Sequence, residues 1–380
     1  MTPRPVTDVL VKPAGPDCNL ACDYCFYSGK EAFFPGAKTR MSGEVLEALM
    51  RQLMGQPVPQ ISMGWQGGEP TLMGLPFFEK AVGYMKRFGD GKAVSNGLQT
   101  NGMLIDKSWA RFFKKYSFLV GLSIDGPEHV HDHYRKNHGG LGSWRKVSDA
   151  ARLMLDAGVE VNALTVVNDY SQRFPEEIYS FHKSLGLPFM QFIPCVEPDA
   201  WDPGKAAPFS AGGEGYGNFL CKIFDLWLAD FSDGKPTTSI RFFESLLFRY
   251  AGFPAPECTL QEECGGYVVV EHNGDVYACD FFVEPAWRLG NLLDTPLTDL
   301  LNSDRQREFG AMKRDLHADC LPCAWKELCR GGCTKDRLRD SPDGGLNHFC
   351  AAFRIFFPHA DPHLRRLADE WTQAHGAPKP

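Results

Sequence analysis

The stretch 18-CNLACDYCFY-27 decides how the rest of the chain is read. Its cysteines, Cys18, Cys22 and Cys25, form a C-x3-C-x2-C array directly after the strand-like run at residues 9–12. They therefore belong on the first strand-to-helix loop. Three thiolates hold three irons of a cubane [4Fe–4S] cluster and leave the fourth iron open for a substrate. Zinc is the competing reading, but it wants a fourth Cys or His nearby in a closed tetrahedral site.

Outward from that loop, short runs rich in Val, Ile, Leu or Phe, flanked by Gly, Pro, Asn or Asp, read as strands. They lie at residues 9–12, 61–65, 93–100, 119–124, 159–167 and 189–194. Helical patterns fall between them at 43–55, 76–88, 107–115, 143–157 and 175–185. Strands separated by helices predict a parallel β/α array, open or closed into a barrel. Functional residues should then gather at the C-terminal ends of the strands. Residues 197–217 are rich in Pro, Gly, Ala and Asp and read as a long loop, with helices following near 218–231 and 240–250. In YVVVEHNGDVYACD, alternating runs about Asn273-Gly274 predict a tight hairpin. Residues 351–375 read as helix, followed by a Pro/Gly/Lys tail. The expected division is a barrel domain over 1–235 and a cysteine-rich domain over 236–380.

Composition narrows the class. Of 380 residues, 43% are hydrophobic and 23% charged, as in soluble globular proteins. No run of about 18 apolar residues suggests a transmembrane helix, and the N-terminal MTPRPVTDVLVKPAG lacks the apolar core of a signal peptide. The cytoplasm is the expected location. A net charge of -7 argues against nucleic acid or an anionic membrane as a main partner. The 13 cysteines are an odd number, and they cluster at 18–25 and 258–350. In a reducing compartment such clusters read as metal sites rather than disulfides. Cys195 and Cys221 stand apart and are expected to be inert thiols.

The strand ends carry further signals. The second ends in GWQGGEPTL, where glycines allow close backbone approach to a ligand and Pro70 stiffens the exit. The third ends in QTNG, the fourth in GLSIDGP and the sixth in QFIPCVEP. Taken alone, Ser123 and Asp125 would be ordinary turn or cap residues. In HVHDHYR, the two-residue spacing of His129, His131 and His133 does not share a helical face. A solvated or substrate-facing loop is expected there, not a metal site.

The array resembles the radical S-adenosylmethionine (SAM) superfamily, whose CxxxCxxC carries an aromatic before the last cysteine, here Tyr24. The resemblance implies that the open iron chelates SAM, whose reductive cleavage gives a 5′-deoxyadenosyl radical that removes an unactivated hydrogen. It implies backbone binding of the SAM amino group at Gly68 and contacts to its carboxylate from Ser123 and Arg135. An arginine suits a carboxylate because its fork binds two oxygens. Backbone near Val196 is expected to line the adenosine pocket.

The run Cys264-x9-Gly274-x4-Cys279, Cys320-x2-Cys323-x5-Cys329-x3-Cys333 and Cys350 resembles the SPASM extension of peptide-modifying radical SAM enzymes. With Cys258 it offers eight ligands, enough for two fully ligated [4Fe–4S] clusters. Spacing alone leaves the pairing open, and structural zinc is the alternative. The family pattern implies Cys258, Cys264, Cys279 and Cys333 for one cluster, and Cys320, Cys323, Cys329 and Cys350 for the other. The implied architecture is an α/β chain: a partial (β/α)6 TIM-like radical SAM barrel with a C-terminal SPASM domain.

QGGEPTL, LQTNG, LIDKSWA, FLVGLSIDGP, QFIPC, SIRFFE, CDFFV and WRLGN, in that order along nearly the whole chain, resemble the anaerobic sulfatase-maturating enzymes. That family converts Cys or Ser in a C/S-x-P-x-R context of an unfolded or nascent sulfatase into Cα-formylglycine. The likeness implies that Asp280, beside Cys279, accepts the target's proton, and that Tyr27 and Gln66 surround the target side chain. It also implies electron uptake by an auxiliary cluster and an electron donor such as flavodoxin or ferredoxin. The alternatives are a SPASM maturase forming thioether or carbon–carbon crosslinks in a ribosomal peptide, and a non-enzymatic electron-transfer module. The open-iron loop argues against the latter.

Overall fold

A computed structural model describes residues 3–34, 39–338 and 344–375. The expected Pro/Gly/Lys tail lies outside these residues. The chain is divided between two compact units. One comprises Met1–Ser123, Arg135–Val161 and Gly265–Gly310; the other comprises Ile124–Tyr134, Asn162–Cys264 and Ala311–Pro380. Residue 235, the expected domain border, falls inside the second unit.

In the first unit the apolar runs form strands β1 (Asp8–Lys12), β2 (Gln60–Trp65), β3 (Ala93–Thr100) and β4 (Leu119–Ser123), paired in parallel in that order. The helices between them start where side chains satisfy the first amides. The Ser42 side chain accepts the Val45 N–H at 3.2 Å to open Gly43–Met54, and Asp106 accepts from Ser108 and Trp109 to open Lys107–Lys115. Such caps each contribute about 1 kcal/mol. Trp65, at the end of β2, is fully buried and donates its indole N–H to Asn96 of β3 at 3.1 Å.

The free edge of β1 takes a distant segment. Val268–Glu271 pairs with it in parallel, with Lys12 opposite Glu271. The chain then turns at Gly274, where φ is +86°, a conformation glycine adopts without penalty. Asp275–Tyr277 returns antiparallel, and Arg288–Asn291 pairs with it in turn. The hairpin expected at Asn273-Gly274 therefore forms, and it lies in the same unit as the N-terminal cysteine loop.

In the second unit, residues 162–167 of β5 (Glu160–Val167) pair in parallel with β6 (Phe189–Pro194), and Ser239–Ile240 pairs with Phe189 and Met190. Helices Gly213–Ala229, Arg241–Tyr250 and Cys350–His375 bury an aromatic core. Within it Phe224 meets Phe243 and Phe356 edge-on, at 5.1 and 5.7 Å. Among the described residues no helix is long and apolar enough to cross a membrane.

Two local expectations are corrected. The HVHDHYR segment is not a loop, because Glu128–Tyr134 is helical. The Pro127 carbonyl accepts from Val130 and His131, and both residues are buried. The His131 Nδ1 accepts the Asp125 N–H, His133 stacks on Tyr170 at 3.8 Å, and His129 pairs with Glu177 at 3.1 Å. The long loop also ends early, because Gly213–Ala229 is already helix. Glycines there serve packing: a Cβ on Gly217 would come within 3.0 Å of the Ala352 Cα in the last helix.

Candidate active site

The loop after β1 carries Cys18, Cys22 and Cys25, each partly buried. A turn closes it, with the Cys25 N–H on the Cys22 carbonyl at 3.1 Å. Burial pushes the Cys18 thiol up to about 12, and the charges of Glu69, Cys22 and Cys25 add to the rise. Desolvated in this way, the Cys18 thiol resists ionising by itself. A cationic cluster that takes the three cysteines as thiolates suits this donor set.

The GGEP loop presses against that loop. The Gly68 N–H donates to Gly15 O at 2.8 Å, and the Glu69 N–H donates to Asp17 O at 2.9 Å. A Cβ on Gly68 would sit 2.0 Å from the Asp17 carbonyl oxygen, so only glycine fits. Because the Gly68 amide is committed, what Gly68 can offer an ammonium group is its carbonyl.

Glu69, which sequence reasoning did not single out, ties three loops together. Its buried carboxylate accepts from the Thr71 N–H at 2.9 Å, the Thr71 hydroxyl, the Thr100 hydroxyl at 2.8 Å and the Asn101 N–H at 2.8 Å. Burial pushes its pKa up, and these donors oppose the rise. Asn101 then donates to Asn19 at 2.8 Å and to the Cys18 sulfur at 3.5 Å. The QTNG end of β3 is thus locked to both GGEP and the cysteine loop. Arg135, nearly buried, donates to the Tyr24 hydroxyl at 2.9 Å, which joins two of the expected SAM residues. Ser123 is half-buried at the end of β4.

Asp280 follows Cys279 just past the hairpin. One carboxylate oxygen accepts from Gln66 Nε2 at 3.0 Å and the other from the Tyr267 hydroxyl at 2.9 Å. The structure therefore brings together two of the expected residues, Asp280 and Gln66. It also adds Tyr267, Lys12 and Glu271. Lys12 is fully buried, lies 3.6 Å over the Tyr27 ring and reaches the Asp280 carbonyl at 3.5 Å. Burial pushes its pKa down, while Asp280, Glu271, Cys279 and Cys25 oppose that. Tyr27 is almost fully buried and donates its hydroxyl to Glu271 rather than to Asp280. Burial pushes the phenol well up, and Glu271 adds to the rise. The β1 register, Lys12 opposite Glu271, is what assembles this cluster. No local signal marks it in the sequence.

The second unit holds its own cysteines. Cys320, Cys323, Cys329 and Cys350 line one cavity, walled by Trp325, Phe353 and Phe357. Burial pushes Cys329 up to about 11, with Cys350, Cys320 and Cys323 adding. Asp319, Lys326 and Arg354 also line the cavity, and a donor set of four sulfurs fits a fully ligated iron–sulfur cluster. The turn between Cys329 and Cys333 runs left-handed through Arg330, Gly331 and Gly332. Asn347, also missed by sequence reasoning, fastens it by donating to the carbonyls of Gly331 at 3.1 Å and Cys333 at 3.2 Å. Cys258, Cys264 and Cys333 surround Lys313, which is buried and donates to the carbonyls of Cys258 at 2.8 Å and Thr259 at 2.7 Å. Val196 is buried, and its carbonyl accepts from Lys335. Cys195 is buried beside it, and burial pushes its thiol up to about 12.

The radical SAM superfamily model matches residues 13–181, and an iron–sulfur cluster-binding domain model, SPASM, matches residues 258–324. The chain is 38% identical over 380 residues to a serine-type anaerobic sulfatase-maturating enzyme of Bacteroides thetaiotaomicron, covering 95% of this chain and 91% of that one. It is also 38% identical over 370 residues to a cysteine-type anaerobic sulfatase-maturating enzyme of Clostridium perfringens, covering 96% and 99%. A solved structure of native anSMEcpe with bound AdoMet and Cp18Cys peptide matches with a TM-score of 0.88 at 37% identity, covering 96% of this chain and 99% of that one.

Proposed function

The chain belongs to the anaerobic sulfatase-maturating enzymes of the radical SAM superfamily, and from that membership we propose that it oxidises a Cys or Ser of a sulfatase to Cα-formylglycine with Asp280 as proton acceptor. It is an α/β radical SAM oxidoreductase with a SPASM extension, and its cofactors are S-adenosylmethionine and three [4Fe–4S] clusters. When bound, these supply one-electron cleavage of SAM, removal of a hydrogen atom from the target Cβ, and uptake of the electron that the target then loses.

The chain's own residues do the rest. Cys18, Cys22 and Cys25 hold the cluster that binds SAM. Gly68 turns a carbonyl to the SAM ammonium, and Arg135, steadied by Tyr24, faces its carboxylate together with Ser123. Cys320, Cys323, Cys329 and Cys350 hold one auxiliary cluster. Cys258, Cys264 and Cys333 supply ligands of the other, with Cys279 assigned to it by family pattern. Val196 contributes backbone to the adenosine pocket. Asp280 takes the thiol or hydroxyl proton, while Gln66 and Tyr267 fix its carboxylate and Tyr27 supports the site through Glu271.

The observation that carries this reading is the Asp280 carboxylate, clamped by two donors beside Cys279, in the same unit as the CxxxCxxC loop. The substrate is met as an unfolded or nascent chain in the cytoplasm, with a flavodoxin or ferredoxin as electron donor, and neither nucleic acid nor a membrane takes part. One serine-type and one cysteine-type relative are each 38% identical to this chain. Both peptides therefore belong in the test.

Anaerobically reconstituted protein with SAM and a strong reductant is given a C-x-P-x-R and an S-x-P-x-R peptide, and mass spectrometry reads the products. Aldehyde should form on at least one. Asp280→Asn should lower that yield by about 100-fold or more while SAM is still cleaved. SAM cleavage with neither peptide altered would overturn the sulfatase reading and favour a crosslinking peptide maturase.

A further inference from the structure

One stretch of the first unit has no part in the reaction as described, yet it holds the loop on which that reaction depends. Residues 135–143 form a small hairpin. Lys136 and Gly142 bridge antiparallel, and the Asn137 N–H donates to the Leu141 carbonyl at 2.9 Å. The Asn137 Oδ1 accepts the N–H groups of Gly139 at 2.9 Å and Leu141 at 3.0 Å, which fixes the tip. The buried Ser143 hydroxyl donates to the Arg135 carbonyl at 2.9 Å and closes the base.

This hairpin meets the cysteine loop at every third residue. His138 Nε2 donates to the Cys18 carbonyl at 3.0 Å. The Lys136 carbonyl accepts the Ala21 N–H at 2.8 Å, and Arg135 donates to the Tyr24 hydroxyl at 2.9 Å. Hairpin and loop belong to the same unit. Residues 13–27 hold no helix or strand, so no regular ladder sets the loop's shape from within. Bonds from outside do it instead. The Glu69 N–H holds the loop's start at Asp17, Asn101 holds Asn19, and the hairpin spans Cys18 to Tyr24.

We infer, resting on the reading of Cys18, Cys22 and Cys25 as cluster ligands, that residues 136–142 are a clasp. Asn137 and His138 are its positioning residues, and they keep the three sulfurs at the spacing that a cluster requires. The hairpin begins at Arg135, so the residue assigned to the SAM carboxylate and the loop assigned to the iron are fixed to one another. Groups that orient metal ligands from outside govern how tightly the metal stays bound. Loosening the clasp lets a cysteine part from its iron more often, and the cluster is lost sooner.

The test follows iron release from the anaerobically reconstituted full-length protein into a colorimetric iron chelator. The triple variant Cys18→Ala/Cys22→Ala/Cys25→Ala gives the release curve of the auxiliary clusters, which is subtracted. His138→Ala should speed release from the first site by about 5-fold. Asn137→Ala, which unmakes the tip, should speed it by about 10-fold. The double variant should be no faster than Asn137→Ala, because both act through one hairpin. His138→Gln keeps a donor and Asn137→Asp keeps an acceptor, so both should release iron at nearly the native rate. His138 is exposed, and replacing it leaves no cavity in the core. In the same proteins, hydrogen exchange at the Ala21 amide should be faster in the alanine variants and native in the conservative ones.

Release within about 2-fold of native in both alanine variants would overturn the clasp. So would faster release when His138→Ala is added to the triple variant, because that marks a general loosening. If the triple variant keeps the native iron content, the reading of these cysteines as ligands fails, and native exchange at Ala21 in His138→Ala would overturn the clasp separately.

Discussion

The two units gather different groups at their cysteines. In the first, two carboxylates near the cysteine loop are answered by protein donors. Glu69 takes donors from Thr71, Thr100 and Asn101, and Asp280 takes them from Gln66 and Tyr267. In the second, Cys320, Cys323, Cys329 and Cys350 line a cavity with Trp325, Phe353 and Phe357 and with the charged Asp319, Lys326 and Arg354, and Lys313 donates to backbone carbonyls. The polar network of the first is formed by the fold itself. The four sulfurs of the second would be tied together by the proposed cluster. The difference separates a polar network that forms without a ligand from a cysteine segment whose order would depend on its cofactor.

Removing the iron should therefore have the largest effect of any perturbation, and an uneven one. In hydrogen exchange of chelated protein, residues 320–338 and 344–350 should exchange on the order of 100-fold faster or more, whereas β2 and β3 keep most of their protection. Comparable loss in β2 and β3 would break the comparison, because it would make the strands behind the first site depend on their cluster as strongly as the cysteine segment of the second unit does on its own.

Gly68→Ala probes the preformed side directly. The added Cβ meets the Asp17 backbone oxygen at 2.0 Å, and backbone cannot swing aside as a side chain can. The loop must shift, at a cost of about 2 kcal/mol or more. SAM affinity measured by calorimetry should fall by over about 10-fold while the iron content of the auxiliary sites stays native. Unchanged SAM binding would show that the close approach serves packing alone.

Glu69→Gln asks how much of that site rests on one carboxylate. The substitution keeps the shape but turns an amide donor toward groups that already donate, such as the Asn101 N–H. A buried mismatch of this kind costs about 1–3 kcal/mol. Denaturant unfolding should show that loss, and a stability within 0.5 kcal/mol of the native, roughly the noise of a neutral surface change, would argue that water already relieves the cluster.

Most of the framework was legible because each signal is local. Strand runs, the helical patterns between them and the Asn273-Gly274 turn all act within a few residues, and the observed elements agree with them closely. The family motifs likewise pointed to Gln66 and Asp280, which meet across a sequence separation of 214 residues. What stayed hidden depends on pairing between distant segments. Lys12, Tyr267 and Glu271 acquire meaning only through the register of β1 against Val268–Glu271. Glu69 stood inside a quoted motif, but its partners at Thr100 and Asn101 lie on another strand end. The short helix Glu128–Tyr134 escaped because seven residues with alternating histidines show no helical stripe, and burial of Val130 and His131 stabilises it instead.

The smallest effect concerns a polar group in the second unit that no cysteine touches. His182 is fully buried, and its Nε2 lies 2.8 Å from the Thr165 hydroxyl, which itself donates to the Ile124 carbonyl at 2.9 Å. The hydroxyl proton is thus spent, so His182 donates from Nε2. Burial pushes its pKa down to about 3. The unfolded chain takes up a proton near pH 6.5, whereas the folded chain does so only near 3. Below pH 6.5 the unfolded state binds more protons, so this residue's contribution is fully present above that pH and is lost as pH falls toward 3. The slope is about 1.4 kcal/mol per pH unit in that window. His182→Gln keeps a donor for Thr165 but does not titrate. Between pH 6.5 and 5.5, denaturant unfolding of the native protein should therefore lose about 1 kcal/mol more than that of the variant. Equal losses would mean that the imidazole is protonated in the fold. The second unit would then hold a buried imidazolium in addition to the Lys335–Glu197 pair it already contains.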